Sequence, residues 1–297
     1  MTTLSGVLPV MHTPFRDDWT IDYDILGAEV EFALAEGADG IVFALASELI
    51  RLTEGERRET AGFLVDAADG RGSVIISVGA ESSFAAAQFA RHAESVGATA
   101  LMATPPLCTR ASEEELRNYY GAIVDAVSLP LLVQDASSYV GSPLSIGFQA
   151  GLFAEFGGRI AFKPEADPVG PVISALNALS DGKARIYEGS GGAMLVENYR
   201  RGIAGTIPGT DLLDAIVALW RALEAGDDAL IYAISPLIGA IQALGTGLDG
   251  YLVIEKYLLK RRGLFRNTLV RGPVAFHLDE PATRELNRLY DRLQETL

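Results

Sequence analysis

Residues 22–45 read DYDILGAEVEFALAEGADGIVFAL. Residues 22–37 carry apolar side chains at helical spacing and stop at Gly37, the residue type that most readily closes a helix. Two residues later GIVFAL (40–45) is apolar on both faces, as a strand buried on both sides must be. A helix running into a doubly buried strand is half of a parallel crossover unit, and the unit repeats. SFAAAQFARHAESVG (83–97) is a second amphipathic helix ending at Gly97. The other strand candidates are GVLPVMHT (6–13), SVIISVG (73–79), ATALMAT (98–104), LPLLVQD (129–135), RIAFK (159–163), ARIYEG (184–189) and GIAGTIPG (202–209). Eight such strands in about 225 residues predict an α/β chain folded as a (β/α)8 barrel. No glycine-rich dinucleotide fingerprint follows the first strand, which disfavours an open doubly wound sheet. The barrel is expected over 1–226. Residues 227–297 read as helical throughout, a C-terminal helical extension packed on it as one structural unit.

Composition narrows the function. With 49% hydrophobic and 21% charged residues in 297, the chain is an ordinary globular protein able to bury a large core. A net charge of −15 argues against nucleic acid, whose phosphates need basic clusters. The single cysteine, Cys108, excludes an intrachain disulfide and suits a reducing, cytoplasmic compartment. The N-terminus does not read as a signal peptide, and no stretch is long and apolar enough for a membrane span. His12, His92 and His277 do not fall at metal-ligand spacing, so no metal and no cofactor are expected. His12, near the end of the first strand, reads as a core histidine behind the barrel mouth.

Active sites of such barrels form at the C-terminal strand ends. Those ends supply Thr13, Ser47 and Glu48, Gly79, Thr104, Gln134 and Asp135, Lys163 with Glu165, Glu188 with Gly189, and Thr206 with Pro208. Only Lys163 is a strong nucleophile. The chain has four lysines, and Lys183, Lys256 and Lys260 lie in polar or helical surroundings that suit a solvated cation. Burial disfavours the charged form of an amine, so a lysine in a dry mouth can present a free amine to a ketone and form an imine. The competing reading is a buried ion pair with Glu165 or Asp135. Glu165, Asp135, Glu48 and Glu188 are the candidate acid/base groups. YEGSGG (187–192) and GIAGTIPG read either as plain turns or as backbone facing a ligand.

Over nearly its whole length the sequence resembles the dihydrodipicolinate synthase and N-acetylneuraminate lyase superfamily of class I Schiff-base barrels. The resemblance rests on GVLPVMHTPF, EGADGIVFALASELIRLTEGER, GATALMATPPL, LPLLVQDASSYVG, RIAFKPEA and GIAGTIPG. It implies an imine-forming lysine at Lys163, a three-helix C-terminal extension, and assembly as a homo-oligomer, a tetramer or dimer. It also exposes departures. The paired threonines that hold the substrate carboxylate in the family fall on Leu45 and Ala46, leaving Ser47 as the nearest hydroxyl. The proton-shuttling tyrosine of the fifth strand falls on Gln134, which has no exchangeable proton near neutral pH but can donate a hydrogen bond. The arginine of dihydrodipicolinate synthases falls on Tyr139, and the aromatic pair after the fourth strand on Pro106 and Leu107.

The resemblance implies a Schiff-base lyase, aldolase or dehydratase, acting on a small-molecule 2-oxo acid such as pyruvate or a 2-keto-3-deoxy sugar acid. Lys163, Gln134 and Glu165 are its expected catalytic residues. Ser47, Ala46, Tyr139, Gly189, Thr206 and Ile207 are its expected substrate-binding residues. The alternatives are dihydrodipicolinate synthase activity with a remodelled proton relay, and a non-catalytic barrel that binds an oxo acid.

Overall fold

The computed structural model describes residues 4–297. Strands and helices alternate: β1 (Gly6–Val7), α1 (Tyr23–Ala35), β2 (Gly40–Phe43), α2 (Glu54–Ala68), β3 (Ser73–Ser77), α3 (Ser83–Val96), β4 (Ala100–Ala103), α4 (Glu113–Ala126) and β5 (Leu131–Asp135). The pattern continues through α5 (Ile146–Phe156), β6 (Ile160–Pro164), α6 (Val169–Leu179), β7 (Arg185–Glu188), α7 (Leu195–Tyr199), β8 (Gly205–Thr206) and α8 (Leu213–Ala225). The eight strands are parallel and pair in the order β1-β8-β7-β6-β5-β4-β3-β2. A parallel bridge from Val10 to Val42 joins the first strand to the second and closes the ring. The chain is a (β/α)8 barrel with a C-terminal helical extension.

Side-chain caps fix where the helices start. Asp22, Thr53, Ser82, Ser112 and Ser145 each accept a backbone N–H three residues on, satisfying a donor that the first helical turn leaves free. Gly97 closes α3 in the left-handed region at φ 98°. The strands bury both faces. Leu8, Val10, Val42, Ile75, Met102 and Leu132 belong to the cluster that fills the barrel, while Ile41, Ile76, Leu101, Val133 and Phe162 pack in the layer beneath the helices.

Two sequence expectations change. The first and last strands are far shorter than the eight-residue runs that suggested them. Pro9 and Pro208 have no N–H to give the ladder, so pairing beyond Val7 and Thr206 is discontinuous. The tail is also not helical throughout. α9 (Asp228–Gln242) lies against α8, α10 (Gly247–Arg261) follows, and α11 (Glu280–Gln294) packs on α9. Residues 262–279 form no helix: Gly263 turns left-handed at φ 78°, and Pro273 has no N–H. Among the described residues no single helix is long and apolar enough to cross a membrane.

α10 is tied to the barrel by charge. Lys256, expected in solvent, is 1% exposed. Its ammonium donates to Glu48, to Thr13 O at 2.7 Å and to Leu269 O at 2.7 Å. Glu48 holds a left-handed backbone (φ 58°), a costly conformation for a non-glycine, and its other carboxylate oxygen accepts Arg271 N–H at 2.9 Å. Lys256→Met leaves that carboxylate buried without its cation. Thermal and urea unfolding should register a loss of about 3–5 kcal/mol, and adding Glu48→Gln should recover about half of it.

Candidate active site

β5 and β6 run in register, so Gln134 stands beside Lys163 and Asp135 beside Pro164. Pro164 ends the strand, and Glu165 follows with its N–H on Asp135 O at 2.7 Å. Lys163 and Glu165 are thereby placed two residues apart on the inner face. Lys163 is 4% exposed, and its Nζ lies 2.6 Å from Glu165 Oε1. The other carboxylate oxygen, Oε2, accepts Gln134 Nε2 at 2.6 Å and the Tyr139 hydroxyl at 2.8 Å. Gln134 Nε2 also donates to the Tyr139 oxygen at 3.1 Å, while Gln134 Oε1 is buried without a protein partner. Burial, reinforced by Glu165, pushes the Tyr139 phenol well above 10, so it stays a neutral donor. The result is a closed lysine–carboxylate–amide–phenol network.

These groups border a cavity of about 40 Å³ at the barrel mouth. It has room for roughly three waters, or for the reacting end of a short ligand. Ala46, Gln134, Tyr139, Lys163, Glu165, Gly189 and Ile207, all singled out in the sequence, line it. Ser47 and Thr206 do not. The Ser47 hydroxyl donates to Met11 O and accepts Ala44 N–H, and the Thr206 hydroxyl donates to Glu188 Oε2 at 2.5 Å. Both hydroxyls are consumed by the scaffold. Asp135 accepts Ser137 N–H at 3.1 Å and Leu144 N–H at 2.8 Å, and Glu188 accepts Ser190 N–H at 2.6 Å. Asp135 braces its loop and Glu188 closes the YEGSGG turn. Cys108 is exposed, and His92 bonds to Arg58 O at 2.9 Å.

Sequence reasoning missed the wall built by the extension. Tyr251 and Glu255, one helical turn apart on α10, line the cavity together with the strand-end residues. The signal was visible as a Glu-Lys pair inside the apolar stretch LDGYLVIEKYLL. Glu255 Oε2 lies 2.8 Å from His12 Nε2, whose Nδ1 lies 2.8 Å from Glu29 Oε1 on α1. His12 is fully buried, as expected of a core histidine, with a carboxylate oxygen at each ring nitrogen. Burial opposes its charge, but Glu255 and Glu29 outweigh that and hold its pKa at about 10. Asp211 beside them is pushed up to about 7 by burial and by Glu255.

A scan against protein families matches residues 3–292 to the dihydrodipicolinate synthetase family. The chain belongs to that family. L-2-keto-3-deoxyarabonate dehydratase of Azospirillum brasilense is 28% identical over 75% of this chain and 74% of its own length. YjhH of Escherichia coli (strain K12), named a probable 2-dehydro-3-deoxy-D-pentonate aldolase, is 23% identical over 92% of both. The crystal structure of dihydrodipicolinate synthase from Rhodopseudomonas palustris superposes with a TM-score of 0.88 at 25% identity, covering 98% of each chain. The first curated synthases matched are aligned over only 44% to 61% of their own length. Synthase, aldolase and dehydratase are all lyase activities, so the family is one of lyases.

The folded pKa of His12, about 10, lies above its ordinary 6.5. Its contribution to stability is therefore complete below about pH 6.5 and is lost as pH rises through about 10. Urea unfolding from pH 6 to 10 should show stability falling across that window. In His12→Gln the slope should be shallower.

Proposed function

We propose that this chain is a class I Schiff-base lyase, an aldolase or dehydratase, acting through Lys163 on a 2-oxo acid such as pyruvate or a 2-keto-3-deoxy sugar acid. The observation that carries this reading is the buried amine of Lys163, 2.6 Å from Glu165 on the wall of a small cavity at the strand ends. Membership in a lyase family and the likeness to a keto-deoxy-sugar-acid dehydratase and aldolase support it.

In this mechanism Glu165 takes a proton from the Lys163 ammonium, and the free amine attacks the C2 carbonyl carbon. The adduct nitrogen gives up a proton as the carbonyl oxygen gains one, which yields a neutral carbinolamine, and the Tyr139 hydroxyl, a donor to Glu165 at 2.8 Å, is the relay. Glu165 returns its proton to the carbinolamine hydroxyl as the C–O bond breaks, so that water leaves and the iminium remains. Its positive charge then draws in the electrons of the breaking C3–C4 bond in an aldol cleavage. In a dehydration it draws in those of the C3–H bond before hydroxide leaves C4. Gln134 holds Glu165 and Tyr139 in place, and Ala46, Gly189 and Ile207 shape the pocket.

Lys163 is the sole lysine or arginine among the described residues lining the cavity. One substrate carboxylate is matched by the iminium it adjoins, whereas a second would meet only Glu165 and Glu255. A monocarboxylate therefore suits the cavity better than the dicarboxylate made by dihydrodipicolinate synthase, and Tyr139 at the family's arginine position agrees.

Borohydride reduction in the presence of pyruvate or 2-keto-3-deoxy sugar acids should add the ligand mass to the peptide carrying Lys163. It should add nothing in Lys163→Ala. No adduct from folded protein with any of them would leave Lys163 a structural ion pair and favour a binding barrel without turnover. Condensation of pyruvate with aspartate semialdehyde should be negligible; robust turnover would instead favour synthase activity on a remodelled relay. A Cβ on Gly189 would lie 2.5 Å from Glu165 Oε1 and 2.7 Å from Lys163 Cε. Gly189→Ala should therefore fold normally while trapping pyruvate at least about tenfold more slowly, because it pushes the pair out of alignment.

A further inference from the structure

The carboxylates around the mouth differ in what they still have to offer. Glu165 has Lys163 on one oxygen and Gln134 and Tyr139 on the other. Glu188 has Ser190 on one and Thr206 on the other. Asp135 accepts Ser137 and Leu144, and Glu48 accepts Lys256 and Arg271. Each is saturated by the protein. Glu255 is not. Its Oε2 is clamped by His12 Nε2 at 2.8 Å, and no described residue donates to Oε1. That oxygen sits beside cavity-lining Gly209, where a Cβ would come within 2.7 Å of it.

We propose that Glu255, from the C-terminal extension, is the group that moves the C3 proton in the Lys163-bound adduct. The inference rests on the imine reading of Lys163. Once the iminium has formed, Glu255 Oε1 takes a proton from C3. The C3–H electron pair becomes the C2–C3 double bond, the electrons of the C2–N double bond return to nitrogen, and a neutral enamine results. Return of the proton from Glu255 to C3 reverses the step. Glu255 borders the same small cavity as Lys163, so an adduct on that lysine enters the space that Glu255 lines.

The surrounding groups fit this role. Gln134 cannot titrate, and the Tyr139 and Tyr251 phenols, pushed well above 10 and to about 12, are donors and not bases near neutral pH. His12 is a positioning residue: its imidazolium fixes one oxygen of Glu255 and leaves the other open. Glu29 fixes His12 in turn, accepting its Nδ1 at 2.8 Å and its backbone N–H at 3.1 Å. Asp211 Oδ1 lies within the same 2.7 Å of the Gly209 Cβ position, so near neutral pH a second carboxyl keeps a proton close to Glu255.

The test combines two readouts on the full-length protein with pyruvate. Borohydride trapping reports the imine, and loss of the methyl proton NMR signal in D2O reports C3 proton transfer. Glu255→Gln should trap pyruvate on Lys163 within about twofold of the parent while methyl exchange slows at least about 50-fold. Glu255→Asp keeps a charge against His12 and serves if the glutamine variant does not fold; it should trap normally and exchange at least about tenfold more slowly. Exchange at the parent rate in either folded variant overturns the proposal. So does a parallel loss of trapping and exchange, which would mark Glu255 as a support for the imine site. Absence of trapping in the parent protein would overturn the imine reading itself, and this inference with it.

Discussion

A charge taken out of water has to be partnered, and this barrel mouth withdraws an unusual number of them. Lys163, Glu165, His12, Glu29, Glu48, Glu188, Asp211, Glu255 and Lys256 are all buried. Few apolar barrels could tolerate that set, because each unpaired ion costs several kcal/mol of desolvation on the order of what a whole domain has to spare. Here the charges interlock. Glu255 and Lys256, neighbours on α10, reach His12 behind the first strand and Glu48 behind the second. The extension is held across the mouth by two ion pairs that neither side could leave unmade.

The same requirement shapes the reacting centre. Gln134 occupies the position where the family places a tyrosine, and Tyr139, a few residues later, brings a phenol back to the site from the following loop. The phenol thus stands within hydrogen-bond reach of the carboxylate beside the lysine. That carboxylate is the larger change. Glu165 neutralises Lys163 at rest and uses its remaining capacity on Gln134 and Tyr139, so the network is rigid before any substrate arrives. In the proposed mechanism this saturation suits Glu165 to activating its lysine and not to later proton transfers. Those fall to Glu255, which retains an open oxygen.

Much of this was legible in the sequence, for a physical reason. Strands covered on both faces must be apolar throughout, and glycine stops helices, so eight units could be located from runs such as GIVFAL and from Gly37 and Gly97. A lysine closing one of those runs singled out Lys163, and the structure shows it buried on the wall of the cavity at the strand ends. The misses share a cause. Ser47 and Thr206 read as substrate-binding residues, but whether a hydroxyl is free depends on the backbone carbonyl or carboxylate that folding brings to it. Lys256 looked solvated because the sequence does not reveal which face of α10 meets the barrel, and Glu255 was hidden with it. Contacts such as Glu255 with His12 span 243 residues, and no local pattern encodes them.

Two glycines connect the turns to the chemistry. GIAGTIPG reads equally well as a plain exit from its strand or as ligand-facing backbone, YEGSGG more readily as a plain turn, and the structure gives their glycines a steric role. A Cβ at Gly189 would collide with Lys163 and Glu165, and one at Gly209 with Asp211 and Glu255. Adjacent strands thus end in walls without side chains, one giving room to the nucleophile and its partner, the other to the carboxylate of the extension. A larger residue at either place would still allow the barrel to close, since the steric conflict is with charged side chains and not with the ladder. Their identity is set by the site, and this is the sense in which a turn sequence here carries functional information that backbone conformation alone does not require.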